Sequence, residues 1–307
     1  MATKSIAGGL GTQSRRAIYC LLAGVAIVSL NDALMKVLTS SYPVGQLLFM
    51  RGVCILPWVL LLAMRAGGLH TLKVNNIGGQ ALRAACVVGS SFLFVNGLIY
   101  LQLADAISVT FTGPLFITAL APFVLGEYVG WRRWIAVLVG FAGVLFMVRP
   151  GYGDISWVVL FPLGAALCGS IRDLITRRLS QTETTVAVLM VTTSAVIIAA
   201  AATLPFAWTE IKISDLGFFA ASGMLVAGGH YLMIEAFRHG EAALVAPFKY
   251  TSMVWAILFG FLVFGHLPDK WMLLGAAFVI CAGLYILHRE TRLTGRPISA
   301  GPRPPAR

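Results

Sequence analysis

The chain has 307 residues, 58% of them hydrophobic and only 11% charged, with a formal charge of +11. A soluble domain carries about 25% charged residues and could not hide this much apolar surface, so composition excludes a water-soluble protein and points to an integral membrane one. The basic balance could suggest a nucleic-acid partner, but its Lys and Arg residues sit in short loops and tails. Membrane topology accounts for them, and no nucleic acid is expected.

Runs of apolar residues long enough to cross the hydrocarbon recur along the chain, and ten spans can be drawn. They cover about 17–38, 45–65, 82–101, 104–125, 132–148, 155–176, 185–206, 214–236, 243–264 and 271–288. The first run lacks a small-residue cleavage signature and reads as a retained helix. The C-terminal RETRLTGRPISAGPRPPAR, 289–307, is rich in Pro, Gly and Arg and reads as a disordered tail. With the N-terminus (1–16) in the cytoplasm, sixteen basic residues fall on the inner side. Only Arg149, Lys212 and Lys270 fall outside. That bias sets both termini in the cytoplasm and, by parity, an even number of helices.

Five cysteines (Cys20, Cys54, Cys86, Cys168 and Cys281) lie singly on apolar segments, with no spacing suited to a metal site or a disulfide framework. Neither a metal nor a cofactor is expected.

Leu103–Glu127, LADAISVTFTGPLFITALAPFVLGE, is a membrane-length segment punctuated by Gly113-Pro114, Pro122 and Gly126-Glu127. The stretch from Ala242 to His266, AALVAPFKYTSMVWAILFGFLVFGH, follows the same plan. At an offset of 139 residues Ala104 matches Ala243, Phe111 matches Tyr250, and Thr112 matches Thr251. SLNDALMKVL in the first span likewise echoes GSIRDLITRRL in the sixth. A repeat of five helices enters the membrane from the opposite side, so the pattern reads as an inverted repeat.

Together with WRRWIAVLVGFAGVLFMVRPG and APFKYTSMVWAILFGFLVFGHLPDKW, these segments resemble the drug/metabolite transporter superfamily, in its ten-helix branch with two EamA-type repeats. The resemblance implies an all-α integral membrane fold of ten transmembrane helices. Two inverted five-helix repeats, 17–148 and 155–288, would surround a central cavity. It leaves helices five and ten peripheral, where they would serve a homodimer. His266 departs from the family, which usually carries Glu there. The implied function is secondary transport of a small polar or aromatic metabolite across the bacterial inner membrane by alternating access. Riboflavin uptake is placed ahead of export of amino acids or amino-acid-like metabolites.

Charges inside apolar spans are costly and tend to face a cavity or one another. Asp32 and Lys36 lie four apart on one helix face, with Arg51 at the same depth. They read either as a structural ion pair or as an outer gate whose carboxylate takes up a coupling proton. Arg172, Asp173, Glu235 and Lys249 form the inner set. Arg172 and Glu235 fit snorkelling to the interface, whereas Lys249 is the best single cargo contact, with a structural lysine as the alternative. His230 reads as a hydrogen-bonded core residue or a proton relay. Ser91, Thr110, Tyr250 and Trp255 supply hydrogen bonds or aromatic surface along the same path.

An intramembrane enzyme is the competing class. No HExxH, no GxSxG and no recognisable carboxylate pair supports it. No filter-like repeat suggests a channel, and no Walker loop suggests an ATP-driven pump.

Overall fold

The computed structural model describes residues 12–125, 131–148, 157–179, 183–239 and 246–294. Within them the chain forms α1 (Thr12–Leu38), α2 (Val44–Arg65), α3 (Ile77–Tyr100), α4 (Leu103–Thr110), α5 (Gly113–Leu125) and α6 (Trp131–Val148). There follow α7 (Leu160–Leu179), α8 (Thr185–Ala201), the single turn α9 (Leu204–Ala207), α10 (Ile213–His239), α11 (Ser252–Phe264) and α12 (Lys270–Thr294). Two 3-10 segments lie at Leu69–Leu72 and Ala246–Thr251, and no strand occurs among the described residues. Six helices among the described residues are long and apolar enough to cross a membrane, and three further apolar helices are shorter. Leu138, Leu145, Ile198, Val254 and Leu262 stand exposed on the outside of the bundle, the surface a bilayer covers. Gly126-Glu127, Arg149 and the segments 1–11 and 295–307 lie outside the described residues.

Element ends follow local chemistry. The third helix starts at Ile77, earlier than the apolar run, because Asn76 caps it: the side chain accepts the Gly79 N–H at 2.9 Å. The fourth span is two helices. Pro114 has no N–H to donate to the carbonyl four residues back, and the ladder tightens just before it. There the N–H of Phe111 reaches Ser108 at 3.2 Å and that of Thr112 reaches Val109 at 3.1 Å. The second copy breaks at the same place, with 3-10 geometry through Tyr250-Thr251 before α11. α11 stops at Gly265, whose φ of +67° suits glycine and turns its N–H back onto Phe261. At the other end of the chain, α12 runs on to Thr294, so 289–294 are helical where a disordered tail is expected. Arg, Glu and Leu in this stretch propagate a helix well.

The helices pair across the two halves. α1 packs along α10 and α3 along α7; α2 lies on α8, α4 on α11 and α6 on α12; α2 also meets α10, and α3 meets α8. Small residues set the closest approaches. A Cβ at Gly24 would lie 2.9 Å from the Gly229 carbonyl oxygen, so α1 and α10 cross backbone to backbone. A Cβ at Gly143 would lie 2.8 Å from the Gly275 carbonyl oxygen, and one at Gly140 would strike the Leu115 side chain. The helices expected to be peripheral, α6 and α12, therefore cover one another within one chain.

Both ends of the bundle are tied by loop contacts. At one end the Tyr42 hydroxyl donates to Asp215 at 2.6 Å and accepts the Lys212 N–H at 3.1 Å. Gln46, fully buried beside it, donates to the Thr209 carbonyl at 2.7 Å and accepts the Thr209 N–H at 3.0 Å. At the other end Glu183 accepts the N–H groups of Asn75 and Asn76 at 2.9 and 2.7 Å, and the Thr184 hydroxyl donates to the Thr71 carbonyl.

Candidate functional site

Within the bundle, charged side chains of α2, α3 and α7 come near one turn of α10. His230 is exposed there, and among the described residues Arg172, Arg51 and Arg83 lie within electrostatic range of it. The three guanidinium groups come from α2, α3 and α7, so cationic side chains of both halves lie near this imidazole.

Around it the polar contacts form a chain. Asp32 is half-buried, with Arg51 in electrostatic range, and accepts the Asn31 amide at 3.4 Å. Asn31 in turn accepts the buried Ser222 hydroxyl of α10 at 2.6 Å, which ties the Asp32 turn of α1 to α10. The buried Nε of Arg51 makes no hydrogen bond among the described residues. Arg172 pairs with Asp173 at 2.9 Å, and Lys249, exposed on the 3-10 segment before α11, lies within range of the same carboxylate.

Lys36 does not turn to Asp32 although the two share a helix face. Its ammonium donates to the Leu98 and Leu101 carbonyls at 2.8 and 2.6 Å, at the C-terminal end of α3, and lies 5.6 Å from the Phe264 ring. A cation there satisfies carbonyls that the helix leaves open and complements its dipole. Of the two partners offered to Asp32 by the sequence, Arg51 is the one at hand.

Arg83, at the edge of the third predicted span (82–101), is a site residue that the sequence reading does not single out. It projects from the second turn of α3 and donates to the Thr176 hydroxyl of α7 at 2.8 Å and the Thr192 hydroxyl of α8 at 2.5 Å. The signal for it is an arginine six residues inside a capped helix, with threonines on two later spans at the same depth.

The remaining candidates are more dispersed. Ser91 is half-buried on α3, next to Ser90, whose hydroxyl donates to the Ala165 carbonyl of α7 at 3.0 Å. The Thr110 hydroxyl donates to the Ile107 carbonyl at 2.7 Å where α4 ends. Glu235 is half-buried on α10. Trp255 stacks on Phe259 with centroids 5.9 Å apart and packs against Ala17, Leu21, Val25 and Ala236. Tyr250 packs against Phe111 and places its hydroxyl against Gly283 of α12. Outside the spans, Tyr42 is the titratable group with a clear shift: its hydrogen bond to Asp215, helped by burial, raises the phenol above its ordinary value.

A helical membrane bundle with charged groups gathered in its interior is the architecture of a carrier. The chain belongs to the EamA-like transporter family, whose model matches residues 15–149 and again 156–288. It is a bacterial membrane transporter. A riboflavin transporter of Rhizobium johnstonii is 30% identical over 92% of this chain and 93% of its own length. An S-adenosylmethionine uptake transporter of Rickettsia bellii is 27% identical over 88% and 92%. A riboflavin transporter of Vibrio cholerae is 28% identical over 80% and 81%. A solved crystal structure shares the fold with a TM-score of 0.64 at 17% identity, covering 90% of this chain and 98% of that one.

Proposed function

We propose that this chain is a secondary transporter that takes up riboflavin, or a closely related flavin, across the bacterial inner membrane by alternating access, with both termini in the cytoplasm. In this reading ten spans form two inverted five-helix halves, 17–148 and 155–288, that rock about the space beside His230.

The observation that carries the reading is the convergence of Asp32, Arg51, Arg83 and the Arg172–Asp173 pair on that space from both halves. Charged groups buried in a membrane bundle are expensive, and a water-filled cargo path is the setting that accommodates them. Two further facts support the inverted arrangement. Exchanging the halves turns the α1–α10 contact into α7–α3 and the α2–α10 contact into α8–α3, while α2–α8 and α6–α12 map onto themselves. Under the same exchange the Tyr42–Asp215 loop contact becomes the Glu183–Asn75 contact at the opposite end, as expected for two gates of one carrier. The riboflavin assignment is carried over from the relatives.

The test is uptake into proteoliposomes. Radiolabelled riboflavin should be trapped, and excess unlabelled riboflavin should compete. Trapping of amino acids with no riboflavin flux in either direction would replace this reading by the exporter one.

A further inference from the structure

Relatives of similar identity are named for a neutral flavin and for S-adenosylmethionine, which carries a sulfonium cation. The two cargoes make opposite electrostatic demands on a site in a low-dielectric interior. Like charges brought together there repel strongly, because little water screens them. The charges around His230 therefore bear directly on which cargo fits.

Three guanidinium groups, Arg51, Arg83 and Arg172, lie within electrostatic range of the exposed His230 ring. Two carboxylates accompany them, and neither is shared evenly. Asp173 is bound to Arg172 at 2.9 Å. Asp32 faces Arg51 and is already held by Asn31. Arg83 is anchored through neutral acceptors, the Thr176 and Thr192 hydroxyls, which fix its orientation without cancelling its charge. Arg51 keeps a buried donor that nothing in the described chain accepts. A guanidinium is a planar fork of donors with no acceptor, and it stays charged under all cellular conditions. Arg51 with its unmatched donor and Arg83 with its charge uncancelled by its threonine partners, both within electrostatic range of a ring that can stack or donate, suit an electron-rich planar edge.

We propose that Arg51, Arg83 and His230 form a cargo-recognition subsite for such an edge, an imide carbonyl pair or a carboxylate or phosphate group, and that this transporter selects neutral or anionic cargo and rejects cations. The proposal rests on the reading of this space as the cargo path. Arg51 and Arg83 supply the donors, and Asp32 and Asp173 hold the flanking positive charge in place. A sulfonium brought to the same face meets three cations and finds both carboxylates engaged.

Two pairs of probes test it on the purified full-length protein, with thermal stabilisation as the readout and competition for uptake in proteoliposomes as a second. S-adenosylmethionine and S-adenosylhomocysteine differ by one sulfonium methyl group and therefore by one positive charge. Riboflavin and its 5′-phosphate differ by an added anion. S-adenosylhomocysteine and both flavins should stabilise the protein at concentrations at least roughly tenfold below those required of S-adenosylmethionine. Arg51→Gln and Arg83→Gln should each narrow that gap, and Arg83→Lys should narrow it less, since it keeps the charge but loses the fork. Discrimination between the two adenosyl compounds without any response to flavins would leave charge selection standing and remove the flavin assignment. Equal or tighter binding of S-adenosylmethionine, or no stabilisation by any of the four, overturns the proposal. So does an unchanged gap in folded glutamine variants. The wild-type comparison decides the matter even where a variant fails to fold.

Discussion

Phe111 and Tyr250 pack edge to face with ring centroids 5.2 Å apart, although they stand 139 residues apart at the same position of the two internal copies. A residue meeting its own counterpart lies where an axis relating the copies would pass, and both chain copies leave regular α-helix at this point. The contact has a third member. A Cβ at Gly283 would strike the buried Tyr250 hydroxyl, which has no hydrogen-bond partner among the described residues, and would lie 3.1 Å from its ring.

A double-mutant cycle follows from that geometry. Gly283→Ala should destabilise the protein by about 1–3 kcal/mol through overpacking. In a Tyr250→Phe background most of that loss should vanish, since the clashing oxygen is gone. Tyr250→Phe alone should be neutral or mildly stabilising, because a buried hydroxyl without a partner is removed. Thermal unfolding of the four proteins measures all three terms. Loss of flux in a fully stable Tyr250→Phe variant would instead make this tyrosine a cargo contact.

Gly228 and Gly229 are neighbours in sequence but should respond oppositely to alanine. A Cβ at Gly229 would press on Val28 at 2.7 Å and on the Gly24 carbonyl oxygen at 3.2 Å, whereas nothing lies within 4 Å of one at Gly228. Gly229→Ala should therefore lower the melting temperature by forcing α1 and α10 apart. Gly228→Ala should be neutral or raise it, since alanine is the better helix former by about 1 kcal/mol. Equal effects from the two would mean that the α1–α10 crossing is looser than this.

The contrast shows what sequence can convey. Apolar length and the position of basic residues make the spans legible, and the duplicated punctuation makes the repeat visible in the linear chain. Which glycine of a pair meets another backbone depends on the rotation of α10 about its axis, and a helix with apolar residues on every side carries no signal for that. Asp32 and Lys36 share a face by spacing, yet Lys36 reaches the end of α3, whose open carbonyls are invisible in a linear reading. Arg83 stands at the very start of the third apolar run, and nothing in the linear pattern says which later spans it will meet. The Asn76 cap, a local polar signal, begins the helix earlier and carries the arginine inside.

The loop contact at the Tyr42 end should hold over the whole physiological pH range. Tyr42 acts as a donor only while protonated, and its bond to Asp215 raises its pKa, so its contribution is complete below the ordinary tyrosine value of 10.0 and is lost as pH rises through the higher folded value. The difference in melting temperature between wild type and Tyr42→Phe should thus be constant from about pH 6 to pH 9 and shrink only at more alkaline pH. Gln46→Ala, which strips both backbone groups of Thr209 of their partner, should cost about 1–3 kcal/mol at any of these pH values. A Tyr42 effect that disappears near neutrality would place the titrating group elsewhere.

Asp32→Asn separates a structural carboxylate from one that carries a proton. The substitution keeps the size of the side chain, removes the charge facing Arg51, and leaves the Asn31–Ser222 bond in place. If Asp32 takes up the coupling proton, the variant should lose accumulation driven by a pH gradient while retaining exchange of labelled for unlabelled substrate, which needs no net proton movement. A purely structural carboxylate should instead lower exchange and accumulation together, along with the melting temperature, because Arg51 is left without its counter-charge. Lys249→Ala provides the comparison on the other side of the space: with its ammonium within range of Asp173, its loss should depress both modes of transport while expression and insertion stay normal. Wild-type flux in both variants would remove these residues from the transport path and leave Arg51, Arg83 and His230 to account for it.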